Sequence, residues 1–165
     1  MRRFVVPLVL LVTCSLPVAA QPRHPIYLQY DGFVRNPDDS LTLAFGYYNL
    51  NQVDVSIAPG ADNRFLVGAG DRDQPVLFLA GRHRFACVMV VPEDFDGGLQ
   101  WQVSFTGHTS TTTARMMDTR YALEEASAVV VLEKAQGFVA SDAPAGVCLD
   151  ADEARQNDPG PDQDR

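Results

Sequence analysis

Three histidines, His24, His83 and His108, are the side chains in this sequence best suited to proton transfer or metal binding. No two of them are spaced as helix or hairpin metal ligands would be, and His83 stands between Arg82 and Arg84, whose charges oppose a bound cation. Surface histidine is the simpler reading for each. The chain contains no Gly-x-Ser-x-Gly elbow, no His-Glu-x-x-His pair and no phosphate-cradling glycine loop. The residues therefore favour a non-catalytic role. The alternative is a secreted or periplasmic hydrolase whose site is assembled from distant loops.

Hard oxygen donors collect in the loop Gly68-Ala69-Gly70-Asp71-Arg72-Asp73-Gln74. Asp71 and Asp73, with Asp62 and Asn63 nearby in sequence, are the donors that calcium prefers. No glutamate closes a twelve-residue loop as an EF-hand requires, and Arg72 separates the two carboxylates. The competing reading has Asp71 and Asp73 accepting backbone N–H groups in a tight turn and pairing with Arg72, Arg82 or Arg84. No other cofactor is implied. A second group, Tyr48, Asn49 and Asn51, follows Tyr47 at the end of a strand pattern. Aromatic rings offer flat contact area and amides orient a partner through paired hydrogen bonds, so these three are the candidate ligand-binding residues, for a protein, peptide or glycan. Against this, Tyr47 would be core and Tyr48 would cover a sheet edge.

The elements that must position these residues have a period of two. Leu41, Leu43, Phe45 and Tyr47 share one face, opposite Ser40, Thr42, Ala44 and Gly46, which predicts a strand with one buried side. Leu99, Trp101, Val103 and Phe105 alternate with Gln100, Gln102, Ser104 and Thr106, and this face should bury Trp101. Phe85 to Val91 is apolar on both faces, as expected of a strand central in its sheet. Further strands are predicted over Ile26 to Val34, Val53 to Ile57, Val76 to Leu79 and Thr109 to Ala114, separated by clusters of Asn, Asp, Pro and Gly. In Asp118 to Lys134 the branched run Ala128-Val129-Val130-Val131-Leu132 predicts a final strand after a short helical turn. The class expected is all-β, an antiparallel β-sandwich that is immunoglobulin-like in the broad sense.

At the N-terminus Arg2 and Arg3 precede an apolar run from Phe4 to Val12 and the small-residue site Val18-Ala19-Ala20, the pattern of a signal peptide over residues 1–20. Pro7 and Pro17 bracket an apolar stretch shorter than the roughly 20 residues of a spanning helix, so no membrane span is expected after processing. Cleavage would place the protein in the periplasm or outside the cell. Loss of Arg2 and Arg3 takes the net charge from -8 to -10, which repels phosphate backbones and makes nucleic acid an unsuitable partner. Residues 21–149 form the predicted sandwich domain. Residues 150–165 carry six acids and two arginines with no aromatic or branched aliphatic side chain, the composition of a disordered acidic tail. Cys87 and Cys148 remain after cleavage, and an oxidising compartment permits them to pair. Pairing requires the C-terminal stretch to fold back, and two separate thiols are the alternative.

From Ile26 to about Glu125 the chain resembles an uncharacterised family of exported bacterial proteins. The resemblance rests on Phe45-Gly46-Tyr47-Tyr48-Asn49-Leu50-Asn51, Gly60-Ala61-Asp62-Asn63-Arg64-Phe65 and Asp71-Arg72-Asp73-Gln74-Pro75-Val76-Leu77-Phe78. Arg82-His83-Arg84-Phe85, Val91-Pro92-Glu93-Asp94-Phe95 and the Trp101 strand complete it. It implies export and no particular activity. A basic residue often stands in that family at the position of Leu50. The order Cys87, Trp101, Cys148 is also similar to that of immunoglobulin domains, where a buried tryptophan packs on an inter-sheet disulfide. Gly146 stands where those domains have tyrosine, and a long stretch of chain precedes Cys87, so only the generic sandwich carries over. The function expected is that of an exported, non-catalytic domain with a binding or scaffolding role.

Overall fold

The structure is a computed structural model that describes residues 21–95, 99–115, 118–136 and 146–149. The expected signal peptide, 1–20, and acidic tail, 150–165, lie outside the described residues.

The chain is an all-β antiparallel sandwich. One sheet has the order β1 (Ile26–Arg35), β2 (Leu41–Asn49) and β6 (Gly81–Val91). The other has β4 (Asn63–Phe65), β7 (Gln100–Phe105) and β8 (His108–Thr113), and a two-stranded piece joins β3 (Val55–Ser56) to β5 (Leu77–Phe78). Leu28, Leu43, Phe45, Tyr47, Cys87, Met89 and Val91 from the first sheet meet Phe65, Trp101 and Val103 from the second in one core. Alternation explains which side chains go there. Trp101 is fully buried, stacked on Phe65 with ring centroids 6.0 Å apart and edge-on to Phe45 at 6.4 Å.

Three expectations require correction. The branched run 128–132 lies in a helix, α1 (Glu125–Lys134), which follows a short 3-10 turn at Thr119–Tyr121. Val131 and Ala135, one turn apart, pack on Ala44, Phe85, Val88 and Val90, so burial at helical spacing outweighs the strand preference of valine. That helix covers part of the outer face of the β1–β2–β6 sheet, and Leu41 to Tyr47 of β2 are consequently buried on both faces. Finally, β6 ends the three-strand order, and β2 is the central strand. The far edge of β6 is closed by the C-terminal segment, whose Gly146 and Leu149 N–H groups donate to the Val90 and Val88 carbonyls at 3.0 and 2.8 Å. β4 is a strand outside those predicted from the alternation.

Both β1 and β2 lose regular register near one place. β1 is bulged between Tyr30 and Gly32, and the β2–β6 ladder shifts between Phe45 and Tyr47. Asp31 leaves β1 at its bulge and lies over Gly46, where its carboxylate accepts the Phe85 N–H at 2.9 Å. Any side chain at position 46 would strike Asp31 and the His83 carbonyl, so only glycine fits.

Candidate functional site

The outer face of the β1–β2–β6 sheet has two halves. Under α1, Ala44, Val88 and Val90 are sealed from water. At the other end β1 and β2 bring Tyr27 directly opposite Tyr48, and Tyr48 in turn pairs with Arg82 of β6. Tyr27 is 44% exposed and Tyr48 41%, an unusual exposure for two large side chains at facing strand positions. The His108 ring at the start of β8 lies 6.4 Å from that of Tyr27. In the next row Gln29 faces Gly46, with the Asp31 carboxylate above it. Arg84 holds that carboxylate at 3.7 Å and lays its guanidinium over the Phe85 ring at 4.4 Å. Burial raises the pKa of Asp31, while the Phe85 N–H and the charges of Arg84 and Arg82 pull it back.

Of the three predicted ligand-binding residues, Tyr48 alone is exposed. The other two are buried and spent on the fold. The Asn49 amide donates to the carbonyls of Val53 and Phe78 at 3.1 and 2.8 Å, and its oxygen accepts from Asn51. Asn51 in turn accepts the N–H groups of Arg23 and His24, both at 2.8 Å, and donates to the His24 carbonyl. The pair latches the N-terminal segment onto the end of β2 and so presents the strand that carries Tyr27. Tyr47 behind them accepts the Leu79 N–H at 2.9 Å, and burial pushes its hydroxyl up to about 12. Sequence reasoning missed Tyr27, and the signal that names it is the cross-strand register, which no local pattern contains.

The acidic loop spans Gly68 to Gln74. Asp71 accepts the Asp73 N–H at 3.1 Å in a tight turn, and Asp62, Asp71 and Asp73 are exposed. Among the described residues no three His, Cys, Asp or Glu side chains gather where they would hold a metal ion. Arg72 points inward, away from the pairing expected with its neighbours. Its guanidinium donates to the Gly146 and Val67 carbonyls at 3.0 and 3.1 Å and lies between the Phe65 and Phe95 rings at 5.6 and 6.0 Å. Burial lowers its pKa. The Arg72 carbonyl accepts the Cys148 N–H, and Cys148 is bonded to Cys87 with their Cα atoms 5.0 Å apart. Loop and C-terminal segment thus brace each other.

The histidines are dispersed around these features. His83 stacks on Tyr47 with centroids 5.1 Å apart, and its Nε2 faces the Ala80 carbonyl at 3.1 Å. The buried carboxylate of Asp31 is committed to Phe85 and Arg84, so ring nitrogen and carboxylate serve separate backbone partners.

No match is found among models of known families, curated proteins or solved structures. The geometry alone must therefore carry the functional reading.

Proposed function

We propose that this chain is an exported, non-catalytic sandwich domain that binds a partner through the open end of the outer β1–β2–β6 face. The observation that carries the reading is the exposed pair Tyr27 and Tyr48, set opposite each other on a face whose other half is sealed by α1. Tyrosine supplies large, stiff contact area at little entropic cost and is enriched where proteins meet partners. The strands beneath are fixed by the Asn49–Asn51 latch and by Asp31, so the rings are held on rigid elements. Export rests on the residues of the first twenty positions and on the Cys87–Cys148 bond, which oxidising compartments favour.

The test is a screen of glycan and peptide arrays with the wild-type protein and with the Tyr27→Ala/Tyr48→Ala double variant. Both rings are exposed, so the variant should keep its melting temperature and lose the hits. Hits that survive the double substitution would place the contact surface elsewhere and overturn the reading.

A further inference from the structure

The open face also constrains the chemistry of what it meets. Resting on the reading of that face as the contact surface, we infer that it takes a carboxylate-bearing oligosaccharide, with sugar rings stacked on Tyr27 and Tyr48 and a uronate carboxylate held by Arg82. The three side chains form one row across β1, β2 and β6. Neighbouring strands lie about 5 Å apart, so the row is about 10 Å long, a span comparable with a disaccharide.

Charge selects the anion. The chain is strongly acidic, with a formal net charge of -8, yet this end carries Arg82 and Arg84 on one strand. Arg84 is already engaged by Asp31 and by the Phe85 ring. The Arg82 guanidinium makes no hydrogen bond or ion pair among the described residues and acts on Asp31 only through space. An exposed guanidinium at the end of an aromatic row is a fork for an incoming carboxylate, and Arg holds carboxylates bidentately.

The engaged edges favour the sugar over an acidic peptide. An extended peptide binds by adding to a sheet edge or by lying in a groove. Both edges of this sheet are engaged along part of their length. On β1 the Leu28 N–H donates to the Ser110 hydroxyl at 2.8 Å and the Phe33 carbonyl accepts the Leu123 N–H at 3.0 Å, while Gly146 and Leu149 cover β6. Two concave places lie elsewhere. One is bordered by Asp38, Asp39, Glu93 and Asp94 and repels an anion, and the other is bordered by Asp62, Thr106 and Thr109. At Tyr27 and Tyr48 the exposed aromatic rings suit the C–H face of a pyranose ring.

The experiment is titration calorimetry with tetragalacturonate, cellotetraose and tetraglutamate, paired with amide chemical-shift mapping of each bound probe. Tetragalacturonate should bind with shifts centred on Tyr27, Tyr48 and Arg82, and binding should weaken as salt rises. Arg82→Gln and Tyr48→Ala should each weaken it about tenfold or more, the scale of one lost charge-assisted hydrogen bond or stacked ring, with melting unchanged. Equal binding of cellotetraose would overturn the carboxylate assignment and leave the contact face standing. Binding of tetraglutamate in place of tetragalacturonate would overturn the sugar assignment and again leave the face. Failure of all three probes would overturn the inference, whereas shifts centred on the β4–β7–β8 face would overturn both it and the functional reading beneath it.

Discussion

Replacing Asn63 should unfold more of this protein's stability than replacing any exposed aromatic residue. Its side chain is fully buried and makes three hydrogen bonds, donating to the Ile57 and Pro75 carbonyls at 3.0 and 2.8 Å and accepting the Trp101 indole N–H at 2.9 Å. Asn63→Ala leaves two carbonyls and an indole N–H stranded where water does not reach. Each lost bond contributes about 1 kcal/mol, and stranding the partners adds a desolvation cost, so the expected loss is about 3 to 5 kcal/mol. A domain of this size has roughly 5 to 15 kcal/mol in all. Asn63→Asp should be no better, since a carboxylate accepts from Trp101 but repels the two carbonyls. Urea unfolding followed by far-UV circular dichroism measures the loss without relying on tryptophan emission. A double-mutant cycle with Trp101→Phe isolates the indole bond, for which the coupling should be about 1 kcal/mol. A loss below about 1 kcal/mol for Asn63→Ala would refute the claim that buried polar atoms here are stranded by truncation.

Reducing Cys87–Cys148, which spans 61 residues, should destabilise the fold by about 4 kcal/mol on the chain-entropy model, and an unchanged urea midpoint with reductant would contradict this. Because burial raises the pKa of Asp31, the folded state holds that proton more tightly than the unfolded chain does. Its contribution to stability is therefore fully present below the ordinary carboxylate range and is lost as pH rises through the raised value. Asp31→Asn should abolish this slope and remain folded, whereas Asp31→Ala should cost more by orphaning the Phe85 N–H, as parallel pH-dependent melts would reveal. Native Trp101 emission should be blue-shifted and protected from iodide, since the ring is fully buried, and ready quenching would contradict the packing. Tyr48→Ala should change stability by no more than about half a kcal/mol, in contrast to its effect on binding.

Period-two alternation made most of the sandwich legible, because a strand with one face in a core must alternate. It failed where burial came from outside the sheet. The Val129-Val130-Val131 run reads as strand by side-chain shape, but the hydrophobic positions that matter are Val131 and Ala135, and their target on Ala44, Val88 and Val90 exists only after the sheet has formed. Asn49 and Asn51 carry the same lesson for the candidate site. An amide beside an aromatic residue looks like a ligand-binding group in sequence, and only tertiary contacts reveal that its hydrogen bonds are used by Phe78 and His24. Arg72 was unreadable for a related reason, since the carbonyl of Gly146 that receives it lies 74 residues away. Tyr27 emerged from register alone.

The segment 146–149 beside β6 has a consequence for the order in which the sheet is completed. Gly146 to Leu149 follows every other described element, yet it supplies the hydrogen bonds that close an open sheet edge and the sulfur that secures it. Until that stretch has been synthesised, β6 exposes carbonyls at Val88 and Val90 between two buried faces, the kind of edge that recruits other strands. The sheet is therefore open to wrong pairing until residues 146–149 have joined β6. Oxidation of Cys148 onto Cys87 then converts a transient edge-to-edge contact into a permanent seal.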